Sequence, residues 1–215
     1  MRTRSKLLLT SLIAAIALAS AIATATASVF EISHLDFRAT WATLTFRNDI
    51  GTTIICPVTL EGSFHRHGIL NKVPRSRIGA ITNADVRDSS CTEAGAGATV
   101  LKETLPWHLQ YNGFTGILPN IGTVRLLLIG AAFRIRSGGG ITCLARTTTT
   151  EPAGGDALTG GALANGRRQI TRIRADSSFQ IDTEGAFCDL GGDAGFSGEG
   201  EVRARDGGLL FVRLI

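Results

Sequence analysis

His65 and His67 stand two residues apart in a stretch that alternates apolar with polar side chains. On an extended strand both imidazoles fall on one face, an arrangement that can offer two nitrogen ligands to a metal. No third ligand accompanies them: His34 and His108 are distant in sequence, and Arg66 with Gly68 marks a strand end facing solvent. The expectation is a solvated pair and no metal. Paired carboxylates are the second candidate chemistry, since Asp182 with Glu184 and Glu199 with Glu201 each share a face if extended. Two carboxyl groups about 5–9 Å apart in a cleft can hydrolyse glycosides. That reaction needs one carboxyl pKa raised by burial, and Glu199-Gly200-Glu201 reads more simply as the wet side of a Gly-rich strand. No residue is expected to be catalytic. Gly195-Phe196-Ser197-Gly198-Glu199 follows a nucleophile elbow for three positions and fails where the closing glycine should stand. Gly138-Gly139-Gly140 runs into a strand and is a turn, with no helix N-terminus to hold a phosphate. No cofactor is implied.

Sugar recognition is the third candidate. Trp107 and Tyr111 share a face and would make a ligand platform if that face were wet, but Leu105 and Leu109 lie on the same stripe, which reads as core. His108, Gln110 and Asn112 form the opposite, polar face.

The elements that must position these residues are strands. Period-two alternation predominates, and no stretch of ten or more residues carries helical spacing. The clearest strand runs from Ile54 to Phe64, with Ile54, Cys56, Val58, Leu60 and Phe64 on one face. Pro57 lacks a ladder donor, so that strand is expected to start there or to lie at an edge. Further strands are expected over 36–46, 77–82, 99–104, 107–114, 123–136, 141–146, 170–175, 178–182, 195–205 and 209–215. In 123–136 the inward set is read as Leu127, Ile129, Ala131, Phe133 and Ile135. Residues 147–168 hold four consecutive threonines, Pro152, several glycines and alanines, and only Leu158 and Leu163 as bulky apolar side chains, which predicts one long flexible loop. The fold class expected is all-β, an antiparallel β-sandwich or jelly-roll-like domain over residues 28–215.

Ahead of it, Arg2, Arg4 and Lys6 precede an apolar run from Leu7 to about Ala23, and Ala25-Thr26-Ala27 supplies small residues for cleavage. Residues 1–27 therefore read as a secretory signal helix, with the mature chain starting near Ser28. An uncleaved membrane anchor is the other reading of the same run. The remainder of the 215 residues suits one domain. Those three N-terminal cations carry most of the formal charge of +4 and leave a nearly neutral chain with scattered arginines, so nucleic acid is excluded as a partner. All four cysteines lie beyond the signal, and in an oxidising compartment an even count reads as disulfides. Three pairings exist. Neighbours in sequence, Cys56–Cys91 and Cys143–Cys188, need the least topological arrangement. The absence of a C-x-x-C couple argues against zinc.

The segments Ile55–Phe64, Glu103-Thr104-Leu105-Pro106-Trp107-His108, Gly116-Ile117-Leu118-Pro119 and Ile141-Thr142-Cys143-Leu144-Ala145 resemble a group of secreted actinobacterial proteins with no assigned activity. The cysteine order and Leu105-Pro106-Trp107 are more loosely similar to secreted proteins grouped with the activator of alkane oxidation. Neither resemblance brings catalytic residues; both imply secretion and β structure. The function expected is that of a secreted or envelope-associated, disulfide-bonded, non-enzymatic surface or interaction protein, meeting cell-surface glycans or proteins, and meeting a membrane only if the N-terminal helix stays uncleaved. The alternatives are a carbohydrate-binding module and a hydrolase using a carboxylate pair.

Overall fold

The computed structural model describes residues 29–47, 53–65, 70–71, 73–92, 96–117, 120–140, 142–164, 166–182 and 193–214. The N-terminal residues 1–27 expected to be a signal, with His67, Glu184 and Cys188, lie outside the described residues. Fourteen strands follow in order: β1 (Val29–Ile32), β2 (Asp36–Arg47), β3 (Thr53–Phe64), β4 (Leu70–Asn71), β5 (Arg77–Val86), β6 (Gly97–Val100), β7 (Trp107–Ile117), β8 (Asn120–Ile129), β9 (Ala132–Arg136), β10 (Thr142–Arg146), β11 (Ala153–Ala164), β12 (Arg167–Asp182), β13 (Asp193–Ala204) and β14 (Leu210–Leu214).

Eight of them, β2, β3, β5, β7, β8, β11, β12 and β13, pair antiparallel in chain order, and β13 returns to β2. The result is a closed up-and-down barrel and not two facing sheets. The closing strand is β11, which pairs with β8 on one side and β12 on the other. It occupies most of the segment expected to be a loop. That expectation is corrected: among the described residues of this segment, Ala153–Ala164 and those from Arg167 onward are regular strand. Its neighbours supply the ladder partners, so a strand of Gly, Ala and Thr needs no bulky side chains of its own.

The inward stripe of β2 is Phe37, Ala39 and Trp41, then Leu44 and Phe46. The jump from 41 to 44 is a β-bulge, which inserts one residue and resets the face. Pro57 sits opposite that bulge and just past the end of β5, where the ladder is already interrupted. It is therefore tolerated inside a strand paired on both sides, contrary to the expectation of a strand start or edge. The strand expected over 123–136 is two strands, β8 and β9, broken at Gly130 with φ +85°. The inward set of β8 is Val124, Leu126 and Leu128, the opposite parity to that expected. Leu127 and Ile129 are nonetheless buried, so both faces of this run are covered.

Two short extensions of the same sheet branch from β12 near the two ends of the barrel. At the end where β2 finishes, β10 extends the last part of β12 and carries β9 and β6. There Phe133 of β9 packs on Trp107 and Phe46, with ring centroids 5.3 and 5.7 Å apart. At the other end β14 joins the start of β12, β1 pairs with β14, and β4 pairs with β1. Ile32, Leu70, Leu210 and Val212 are buried beneath them. Cys56 of β3 is bonded to Cys91, which follows a short 3₁₀ turn at Asp88–Ser90. This is the pairing that sequence proximity favours. Cys143 of β10 is also disulfide-bonded, while its expected partner Cys188 lies outside the described residues.

Candidate ligand cavity

An eight-stranded barrel is just wide enough either to be filled by its own side chains or to hold one small ligand. Here the filling is incomplete. Most inward positions are large (Phe37, Leu44, Phe64, Leu109), but β11 contributes Ala153, Gly155 and Ala157, and β12 contributes Ala175. Against these small side chains a cavity of about 100 Å³ remains. Every described side chain that lines it is apolar, and only Trp41 carries a polar side-chain atom.

Trp41 is held in place by a glycine. Its indole lies against Gly200 of the neighbouring β13, where a Cβ would come within 2.8 Å of Trp41 Cδ2 and 2.7 Å of the Thr40 carbonyl oxygen. The Trp41 Nε1–H is buried and has no hydrogen-bond acceptor among the described residues. The chain's other tryptophan differs: Trp107 Nε1 donates to Thr104 Oγ1 at 2.8 Å.

The residues singled out from sequence lie elsewhere. Trp107 and Tyr111 are 0% and 3% exposed and face the interior on the stripe of Leu109, so neither presents a ring to solvent. Burial pushes the Tyr111 phenol up from its usual pKa. Glu199 and Glu201 stand on the outer wall. Glu199 accepts from Arg172 Nη1 at 2.8 Å and from Arg174 Nη2 at 2.8 Å, and Glu201 lies 3.7 Å from Arg203 Nε. The bond from Arg174 chiefly holds the Glu199 carboxyl below its ordinary value, the opposite of what a general acid needs. Asp182 ends β12, and its expected mate lies outside the described residues. Ser197 pairs with Thr45 and Asp176 in the middle of a ladder and occupies no strand-to-helix elbow.

His65 is exposed just past the end of β3. Half-buried His108 on β7 is held below the ordinary imidazole range, first by burial and then by the charges of Arg77 and His65. Among the described residues no group of three His, Cys, Asp or Glu side chains is placed to hold a metal. The cavity itself was not visible in the sequence, because it is a shortage of volume shared among eight strands. The signal that could have found it is the run of Ala and Gly in β11 facing mostly bulky residues on the other strands.

The outer wall is charged where the inner wall is apolar. Arg38, Glu61, Arg172, Arg174, Glu199 and Arg203 all point outward from β2, β3, β12 and β13. A lipid-facing barrel has the reverse pattern. Comparison with protein-family models, curated proteins and solved structures returned no match for this chain.

Proposed function

We propose that the chain is an exported, non-enzymatic binding protein whose barrel holds one small apolar molecule. The observation that carries this reading is the apolar cavity of about 100 Å³ inside the closed ring of strands. Apolar cavities of this order stay dry and take small hydrocarbon guests, because water has no partners in them. The Cys56–Cys91 bond and the N-terminal export pattern support an oxidising compartment, and the charged outer wall supports a barrel surrounded by water. Sugar binding through Trp107 and Tyr111 and glycoside hydrolysis through Glu199 and Glu201 lose their motivation, since the aromatics are buried and Glu199 is tied to two guanidiniums.

Ethylbenzene, a single ring with a short tail, tests the reading by thermal unfolding of the disulfide-intact protein. A guest that binds only the folded state adds about 1.4 kcal/mol at ten times its dissociation constant. For a domain of this size the unfolding midpoint then rises by roughly 3–6 °C. A midpoint that stays fixed up to the solubility limit of ethylbenzene removes the proposal.

A further inference from the structure

Resting on that reading, we infer that the guest is a free, unbranched hydrocarbon chain about as long as octane, lying along β11. The cavity follows that strand. Ala153, Gly155 and Ala157 are successive inward positions of β11, each of them lines the cavity, and the ladder to β8 runs through them without a bulge. From Ala153 to Ala157 an extended backbone runs about 13 Å, so the void is drawn out along the strand instead of gathered at one short side chain. A volume of about 100 Å³ spread over that length makes a narrow trough.

The floor of the trough is the backbone itself at Gly155, where an added Cβ would meet nothing closer than the Arg174 carbonyl oxygen and Ile173 Cδ1, both at 3.7 Å. Its flanks are Leu126 and Leu128 on β8 and Ile173 and Ala175 on β12, the strands paired with β11 on either side. Leu126, Leu128 and Ile173 face inward yet are only half-buried, which places the open space against them. A straight chain matches this shape, because its methylenes follow the strand and meet apolar wall along their whole length. A ring or a branched molecule of equal carbon number is wider and shorter, so it overpacks the flanks and leaves an end of the trough empty. The chain carries no head group: among the described residues no charged side chain lines the cavity, and a polar group shut in there would lose its water without gaining a partner.

The test compares n-octane, cyclooctane and iso-octane, together with ethylbenzene and n-octanol, each brought to the disulfide-intact protein in solution through its vapour. Dissociation constants are expressed as fractions of each liquid's own vapour pressure, so that differences in water solubility cancel. n-Octane is expected to bind about tenfold more tightly than cyclooctane or iso-octane, and more tightly than n-octanol, whose hydroxyl finds no partner. Ala153→Leu, which fills one end of the trough, is expected to weaken n-octane about tenfold and to leave n-pentane within about twofold of the parent. The comparison on the unsubstituted protein stands even if that variant fails to fold. If ethylbenzene binds but the three saturated hydrocarbons bind alike, or a folded Ala153→Leu takes n-octane as well as its parent, the straight-chain inference is overturned and the apolar cavity reading survives. n-Octanol bound as tightly as n-octane would overturn the guest without a head group in the same way. If no hydrocarbon binds, ethylbenzene included, both readings fall.

Discussion

Glu61 shows how the outer wall converts charge into stability. Its carboxylate accepts from Arg38 Nε at 2.8 Å and from Asn83 Nδ2 at 3.3 Å, with Arg205 Nη2 at 3.4 Å, and the residue is only 8% exposed. These partners, the Arg38 hydrogen bond first, hold its pKa below 4.5. A carboxyl depressed in the folded state stabilises the fold above its unfolded pKa and loses that contribution as pH falls through the folded value. Glu61→Gln is therefore expected to cost about 1.5–3 kcal/mol at pH 7, the range for hydrogen bonds to a charged group. Urea titrations at descending pH should show the gap between variant and parent closing below 4.5. A gap that stays constant would mean that packing and not charge makes Glu61 matter. On the inner wall the equivalent residue is Gly200. Adding one methyl there sets it against Trp41 and the Thr40 carbonyl, so Gly200→Ala is expected to cost about 1–3 kcal/mol through overpacking. Urea denaturation measures that cost, and the tryptophan emission should change with it as the indole leaves its seat. Unaltered stability and emission would contradict the contact.

At the scale of elements, the Cys56–Cys91 bond ties β3 to the segment that leads into β6, and so anchors one of the two sheet extensions to the barrel wall. Closing a loop with sequence separation 35 stabilises by about 4 kcal/mol in the chain-entropy description. Unfolding of a Cys56→Ala/Cys91→Ala variant in urea is expected to show a loss approaching that figure, and a variant as stable as its parent would contradict it. The strands flanking this bond were legible. In 36–47 and 54–64 large apolar and polar side chains alternate with strong contrast, and contrast is what a period-two reading detects. Where contrast vanishes the reading fails, in two opposite ways. In β11 every side chain but two is small, so Ala153, Gly155 and Ala157 look like a loop although they form wall. In β8 the run Leu126-Leu127-Leu128-Ile129 is apolar on both faces, so alternation could not say which side faced in. Trp41 sits on a well-formed inward stripe that nothing in the residue pattern distinguishes from ordinary core, and the unpaired Nε1–H sets it apart only in the folded structure.

The whole molecule is governed by ring closure. An all-antiparallel ring closes only with an even number of strands, and without β11 the barrel would expose two edges, on β8 and β12, as templates for aggregation. Using small residues for that last strand closes the ring but leaves the interior underfilled, and the underfilling has a calculable consequence. Unrelaxed cavities cost about 24 cal/mol per Å³, so the void of about 100 Å³ represents roughly 2.4 kcal/mol of stability forgone by the empty protein. If the void is retained for a guest, filling it should separate stability from binding. Ala157, 5% exposed on β11 and facing the cavity, is the position from which a longer side chain reaches the void while keeping its ladder partners Ile173 and Val124. Ala157→Leu is expected to raise the unfolding free energy by about 1–2 kcal/mol, the part of the cavity term recovered without strain. The same variant should abolish the ethylbenzene-dependent rise in midpoint, with denaturant and thermal unfolding measured on one preparation. Loss of stability in Ala157→Leu would show that β11 has no spare volume beside it, and the interior would then be a filled core with no room for a guest.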